Sequence, residues 1–432
     1  MPESQASKSH SPECVDKFRQ LGIAEPVLNA IAEQGFEMPS EIQRKSIQLV
    51  VSGKDVIAEA ATGSGKTLAF DAGIIQNTEP GYGLQALILT PTRELAEQNA
   101  RALRSFSKYK PLHIVTIYGG VPINKQIHLV RTADVVVATP GRLLDHMERG
   151  TIQLNEITIL VLDEADTMLD MGFIRDVRKI MQACPRSRQT LLFSATITRE
   201  VARLSHDYMR SPQQVFAEPQ VDPKQLAQVY YEISSKLKFS LLAHLLMHED
   251  AKLVMVFCNT RRFVDIVARN LNQAGIDAMP IHGGLTQSKR GKTLHQFHSQ
   301  ATTVLVCTDV AARGLDIPHV SHIYNYDLPK ESKQYIHRIG RTARAGKEGK
   351  VINLLSERDH DAFRQVLHDN GVKVTRMAVP PMKRIEMQQT GRRDYRQGND
   401  RRRNPHKNYS HLQRRQRSSS HSQRAPSRGS SR

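Results

Sequence analysis

The segment DVIAEAATGSGKTLAF, residues 55–70, sets a short apolar run, two glycines, a lysine and a threonine in one order. Without side chains at Gly63 and Gly65, backbone N–H groups can approach phosphate oxygens, and the helix that follows aims its positive end at them. In that setting Lys66 supplies a cation for β and γ phosphates and Thr67 a hydroxyl for Mg²⁺. The loop Ala60, Ala61, Thr62, Gly63, Ser64, Gly65, Lys66 and Thr67 departs from the general P-loop pattern once, because Ala60 stands where the first glycine is expected.

A second constellation, ITILVLDEAD (157–166), ends an apolar run with three carboxylates. Asp163 at the end of a strand can reach the Mg²⁺ that accompanies a nucleotide, and Glu164 can polarise an attacking water. An isolated DEAD tetrapeptide is usually an acidic helix start. After a buried strand and about a hundred residues beyond a P-loop, that plainer explanation loses. The two elements together argue for a nucleoside triphosphatase.

The elements that must hold these residues follow from periodicity. From about Lys54 to Thr196 short β-branched apolar runs alternate with turns and helical stretches, the βαβ pattern of a parallel sheet covered on both faces. The pattern lapses in SPQQVFAEPQVDPKQ (211–225), with its three prolines, and resumes with VYYEI, KLVMVF, AMPIH, TTVLVC, HIYNYD and KVINLL. A chain of 432 residues exceeds one ordinary core. The expected organisation is therefore α/β: an N-terminus of low order at 1–14, a nucleotide-binding domain at 15–212, a linker at 213–225, a second domain at 226–379 and a disordered basic tail at 380–432.

Charge is placed unevenly. The net charge is +18, and residues 381–432 hold 15 Lys or Arg against Glu386, Asp394 and Asp400. A concentrated positive field suits a polyanion, and the Arg, Ser, Gln and Asn composition of the tail cannot bury enough apolar surface to order itself. The four cysteines lack metal or redox spacing, and the 18 histidines form no ligand pattern. The apolar runs are far shorter than the roughly 20 residues a bilayer requires, and MPESQASKSHSPE has no secretory pattern, so a cytoplasmic protein without membrane attachment is expected.

Ten motifs occur in order: GFEMPSEIQ (35–43), AATGSGKT (60–67), PTRELA (91–96), Gly119-Gly120, TPGR (139–142), DEAD (163–166), SAT (194–196), VFCNTRR (256–262), TDVAARGLD (308–316) and HRIGRTARAG (337–346). Through them the chain closely resembles the DEAD-box RNA helicases from Phe18 to about Leu355. The resemblance implies two tandem RecA-like domains and ATP with Mg²⁺ as the nucleotide and metal. It implies adenine read by Gln43 and stacked by Phe36, and ribose contacted by Asp316. Arg341 and Arg344 are similar to the arginines that reach the γ phosphate from the second domain, with Ala343 where many members carry glycine. Lys66, Asp163, Glu164, Arg341 and Arg344 would then be catalytic, Thr67 and Asp163 would hold the metal, and Asp166, Ser194, Thr196 and His337 would couple the domains.

RNA contacts implied by the resemblance are Pro91, Thr92, Arg93, Gly120, Thr139, Gly141 and Arg142 in the first domain, with Thr260, Gly284, Arg290 and Thr308 in the second. Hydroxyls, arginines and glycine backbone suit phosphates and 2′-OH groups better than base edges, so binding would be largely independent of sequence. The tail would add an RNA-binding arm. The resemblance leaves the RNA itself open, with ribosome assembly and RNA decay both compatible. A processive translocase and an ATP-dependent RNA clamp are the competing readings.

Overall fold

A computed structural model describes residues 12–61, 63–217, 226–312, 315, 317, 320–329, 331–343, 348–370 and 372–388. Thr62, Asp316, Arg344, the N-terminus to residue 11, residues 218–225 and the expected tail from 389 onward lie outside the described residues.

The first lobe opens with helices α1 (Pro12–Arg19), α2 (Glu25–Glu33) and α3 (Glu41–Val51), followed by β1 (Val56–Glu59) and α4 (Lys66–Asn77). It continues through β2 (Ala86–Leu89), α5 (Arg93–Phe106), β3 (Ile114–Ile117), α6 (Ile123–Val130), β4 (Val135–Ala138) and α7 (Pro140–Glu148). It closes with β5 (Ile159–Asp163), α8 (Ala165–Asp170), α9 (Ile174–Ala183), β6 (Gln189–Ser194), α10 (Arg199–Tyr208) and β7 (Gln213–Phe216). The second lobe runs β8 (Leu226–Glu232), α11 (Lys238–His248), β9 (Val254–Phe257), α12 (Arg261–Gln273), β10 (Ala278–Ile281), α13 (Gln287–His298) and β11 (Val304–Cys307). It ends with α14 (Asp309–Ala312), β12 (His322–Asn325), α15 (Ser332–Ile339), β13 (Gly349–Leu355), α16 (His360–Asn370) and β14 (Thr375–Arg376).

Each lobe is one parallel sheet, ordered β3-β4-β2-β5-β6-β1-β7 in the first and β10-β11-β9-β12-β13-β8-β14 in the second. The two orders are the same list, so each strand has a counterpart: β2 answers β9, β3 answers β10, and β4 answers β11. Strands such as ALIL, VVVA, VMVF and VLVC are buried at every position, because helices cover both faces of a parallel sheet. Loops at the carboxyl ends of strands bind ligands in such sheets, and every motif quoted above except GFEMPSEIQ and HRIGRTARAG falls there.

Two boundaries differ from expectation. Residues 213–216, placed in the linker by composition, form the edge strand β7 paired with β1 from Val56↔Gln213 to Glu59↔Phe216. Proline-flanked edge strands carry weak strand signals, because one side has no partner and the face is solvated. The chain also stays ordered beyond Val379, the expected start of the tail. Met382, Ile385 and Met387 pack on the core of the second lobe. Ile385 N–H donates to Ser240 Oγ at 2.9 Å, and Gln388 N–H donates to Asn270 Oδ1 at 2.8 Å. Those three apolar residues are spaced too irregularly among charges to read as an element. Among the described residues no helix is long and apolar enough to cross a membrane.

Candidate functional site

The phosphate loop leaves β1, whose Glu59 pairs with Ser194, and enters α4 through two left-handed glycines, Gly63 at φ 86° and Gly65 at φ 92°. Gly65 is required by packing as well as by its dihedral: a Cβ there would stand 2.5 Å from Gln43 Nε2. Gln43 holds the loop directly. Its Nε2 donates to Gly65 O at 2.9 Å, and its Oε1 accepts from Ser40 N–H at 2.9 Å. The amide expected to read adenine is thus also a brace for the phosphate loop, and one N–H and one lone pair remain for a base. Phe36 is half-buried, with one side against Phe106 at a centroid distance of 5.7 Å.

Lys66 is buried and its Nζ donates to Ala60 O at 2.9 Å, so the ammonium lies over its own loop. Thr67 follows in the first turn of α4, and the buried Ser64 Oγ has no hydrogen-bond partner. β5 delivers Asp163 beside this loop, 4 % exposed, where Asn99 Nδ2 from α5 donates to Asp163 Oδ2 at 2.8 Å. Burial pushes the Asp163 carboxyl up, and Lys66 and Asn99 draw it down. Glu164 takes the left-handed conformation, φ 51° and ψ 53°, in the bend from β5 to α8. A non-glycine residue there carries strain of the kind found at functional sites. Burial raises its carboxyl above the ordinary range, with Arg341 opposing.

Asp166 is the junction. Its Oδ2 accepts from Thr196 N–H and Thr196 Oγ1–H, both at 2.9 Å, and its own N–H donates to Ser194 Oγ at 3.2 Å. From the second lobe His337 Nε2 stands 3.8 Å from the same oxygen. One turn before His337 on α15, Lys333 pairs with Asp170, and in the turn after the helix Arg341 acts on Glu164. Positions 333 and 337 share one face of α15 at i and i+4, and Arg341 follows in the turn after the helix, where its N–H donates to Arg338 O at 3.0 Å. A basic row on the second lobe therefore meets the acidic row Asp170, Asp166, Glu164 on the first. Arg341 itself is buried, and its Nη1 donates to Leu315 O at 2.7 Å.

The candidate nucleic-acid face is a cleft of about 490 Å³ between the lobes. It is lined by Pro91, Thr92, Arg93, Thr139, Gly141, Arg142 and Arg290 among the residues expected to touch RNA, together with Glu94, Gly119, Met171, Phe173, Gly283, Leu285 and Val310. The remaining expected residues flank it. Gly120 backs onto Arg93, and a Cβ there would fall 2.0 Å from Arg93 Nη1. Gly284 N–H donates to His282 Nδ1 at 3.1 Å, Thr260 is exposed at the head of α12, and Thr308 is buried two residues before Val310.

The lobes build this face in the same way. Thr92 after β2 caps α5 by accepting from Leu95 N–H at 3.3 Å, and Thr260 after β9 caps α12 by accepting from Phe263 N–H at 3.2 Å. Arg93 lies under Gly119-Gly120, and Arg261 lies 3.2 Å from where a Gly283 Cβ would be.

Two of the expected RNA arginines are already engaged by protein. Arg142 Nη1 donates to Val121 O at 3.0 Å and to Gln126 Oε1 at 2.9 Å. Arg290 Nη2 lies 3.0 Å from Glu94 Oε1 across the cleft, with Arg93 Nη1 donating to Gln287 Oε1 at 3.4 Å beside it.

Several contributors are not among the residues to which the motifs gave a role. Asn99 is a polar residue on the buried face of amphipathic α5, and that misplacement was its signal. Arg338, 1 % exposed, ties Asp309 at 2.6 and 2.7 Å, Asn325 Oδ1 at 2.9 Å and Asp327 O at 2.6 Å. It is a structural hub three residues before Arg341. Nothing local marks Lys333 or Asp170, whose pairing needs both lobes.

Two parallel-sheet lobes, a phosphate loop and a carboxylate junction faced from the opposite lobe define a nucleotide-driven two-lobed ATPase. Residues 40–204 match the DEAD/DEAH box helicase family model, and residues 237–346 match the helicase conserved C-terminal domain. The chain is 40 % identical over 368 residues to the DEAD-box ATP-dependent RNA helicase CshA of Bacillus cereus, covering 84 % of this chain and 70 % of that one. It is 42 % identical over 369 residues to CshA of Geobacillus kaustophilus, covering 84 % and 79 %. In structure it resembles S. cerevisiae Dbp5 bound to RNA and ADP BeF3, with a TM-score of 0.78 and 31 % identity over 84 % of this chain and 96 % of that one. The chain belongs to the DEAD-box family of ATP-dependent RNA helicases.

Proposed function

We propose that this RNA-stimulated ATPase opens short RNA duplexes or strips RNA–protein contacts locally, by closing its lobes on ATP and one RNA strand together. The observation that carries this reading is the Asp166 junction, where one carboxylate oxygen is held by Thr196 of the first lobe and approached by His337 of the second.

In this reading Lys66 exchanges its bond to Ala60 O for the β and γ phosphates, with the Gly63 and Gly65 amides alongside. Gln43 and Phe36 take adenine, and Asp316 the ribose. Glu164 orients the attacking water and accepts its proton, while Arg341 and Arg344 stabilise charge spreading over the γ phosphate. The residues present fit Mg²⁺. Asp163 carries a buried carboxylate beside the Thr67 helix start, and a magnesium ion needs only one or two protein ligands when phosphates and water supply the rest. Asp163 and Thr67 would hold it, and bound there it neutralises phosphate charge.

On the RNA side Thr92, Thr139 and Thr308 offer hydroxyls, Arg93 a guanidinium, and Gly120, Gly141 and Gly284 their backbone; Pro91 and Thr260 shape the loop ends. Such contacts grip a backbone without reading bases. Arg142 and Arg290, which also hold Val121, Gln126 and Glu94, line the same cleft and would offer guanidinium groups to the backbone phosphates. Ribosome-assembly or RNA-decay machinery supplies the partners, and the basic tail adds an RNA arm. A cytoplasmic setting suits the buried free thiols Cys184, Cys258 and Cys307.

The test is unwinding of a blunt short duplex beside one with a long overhang, each with ATP and with Lys66→Ala as the inactive control. Local opening predicts activity that falls steeply with duplex length and needs no directional overhang. Length-independent unwinding would favour a translocase, and RNA retention without strand release a clamp.

A further inference from the structure

The basic row formed by α15 and the turn after it contains a member that the nucleotide chemistry does not use. Lys333 pairs with Asp170 across the cleft, at the start of the helix that Arg341 follows, with side-chain exposures of 31 % and 17 %. Exposed ion pairs are usually worth little. Three features set this pair apart. It joins two lobes and so acts on their closure equilibrium, where a small preference changes the closed population directly. It is largely shielded from solvent. It also ends α8 at the residue before Met171, and Met171 and Phe173 line the RNA cleft. At its other end α8 begins next to Glu164, which abuts the phosphate site.

Short and stiff, α8 therefore has an RNA-facing end at Asp170–Met171 and a nucleotide-facing end at Glu164–Asp166. α15 and the turn after it lie against both ends, through Lys333 and through His337 with Arg341. A strand seated on Met171 and Phe173 contacts the chain next to Asp170. Through Lys333 that contact reaches the helix whose end leads into the Arg341 turn.

We propose that Lys333 is a positioning residue: its ion pair with Asp170 docks the N-terminal half of α15 on α8 and lets bound RNA set the approach of His337 and Arg341 to the nucleotide carboxylates. This rests on the closure reading above.

The experiment uses the full chain and steady-state ATP turnover titrated with single-stranded RNA. Lys333→Glu faces Asp170 with a like charge. It is expected to raise the RNA concentration for half-maximal stimulation by about five- to tenfold, while kcat at saturating RNA changes less than about twofold. Asp170→Lys should do the same, and the double exchange D170K/K333E should recover most of the loss. The shift should shrink as salt rises, because the pair is partly screened. Loss of correctly folded protein would lower kcat in proportion and leave the half-maximal RNA concentration alone. Should either reversal fail to fold, Lys333→Gln is read instead, with an expected two- to threefold shift of the same kind.

A half-maximal RNA concentration unchanged in Lys333→Glu, or a double exchange no better than the worse single variant, overturns the proposal. Arg341→Ala is measured beside them. Collapse of its turnover while Lys333→Glu behaves as wild type overturns the Lys333 role alone, and full turnover in Arg341→Ala overturns the closure reading together with it.

Discussion

Thr196 grips Asp166 at two points, its backbone N–H and its Oγ1–H each donating to Asp166 Oδ2 at 2.9 Å. That two-point bond fixes the carboxylate in the orientation that faces His337 from the other lobe. Thr196→Val keeps the shape and the backbone donor and removes one hydrogen bond to a charged acceptor, a loss of about 1.5–3 kcal/mol where it acts. The expected outcome is fewer duplexes opened per ATP consumed, measured by running unwinding and phosphate release on the same preparation. An unchanged ratio would mean that the bond only completes a local turn.

Glu164 is buried and its carboxyl is held above the usual range. Glu164→Gln preserves volume and removes the proton acceptor, so turnover should fall by roughly 10²- to 10⁴-fold. ATP and RNA should remain bound, because Lys66 and the cleft are untouched. A filter-retention assay with both ligands checks this, and rapid RNA loss in the presence of ATP would contradict the assignment. In the wild-type enzyme the working carboxylate is lost as pH falls through its raised pKa. The acid limb of turnover should therefore lie above the ordinary value of 4.5.

Asp71 in α4 is fully buried, and neither carboxyl oxygen has a hydrogen-bond partner. Burial, with the nearby Asp163 charge, lifts its pKa well above the ordinary value. The folded protein then keeps a proton that the unfolded chain has released. Stability should therefore fall as pH rises from the unfolded value towards the folded one, by up to about 1.4 kcal/mol per unit. Asp71→Asn should raise the melting temperature and flatten that decline between pH 5 and 8. Parallel pH profiles for the two proteins would refute the account.

Ala343 sits at φ 53°, the conformation that glycine adopts without penalty and alanine resists by about 1–2 kcal/mol. Space for relaxation is scarce, since a Cβ on neighbouring Gly349 would stand 2.7 Å from Ala343 N. Ala343→Gly should stabilise the second lobe by a net amount of about 0.5–1 kcal/mol, after the extra freedom glycine gives the unfolded chain. Thermal unfolding reads the result, and a lower melting point would show that the strain is absent.

Truncation should separate two parts of the C-terminal segment. Ending the chain after Gln388 removes most of the basic residues beyond Val379 and keeps Met382, Ile385 and Met387 on the core. RNA affinity should weaken, and its salt dependence should lessen by about 0.7 log unit per phosphate no longer neutralised. Ending after Val379 should also lower the melting temperature, because the bonds at Ser240 and Asn270 go with the docked segment. An unchanged salt slope after the shorter cut would assign the basic arm to some partner other than RNA.

Much of this molecule is written in local sequence. The glycines at 63 and 65, the lysine after them and the carboxylates after a buried strand each follow from what a few consecutive residues can do, so the phosphate loop and the DEAD turn were legible. So was the α/β alternation, because strands buried on both faces are continuous apolar runs. Relations between distant residues were decided by the tertiary structure. Gln43 braces Gly65 across 22 positions. Asn99 holds Asp163 across 64. Lys333 meets Asp170 across 163.

The edge strand at 213–216 and the docked chain at 380–388 gain their order from surfaces built elsewhere, so their own residues carry little trace of it. A chain determines its local chemistry through neighbours within a turn or a strand. Which charge will face which across a cleft depends on two completed sheets, and only the folded protein brings Asp166 under Thr196 and His337 at once.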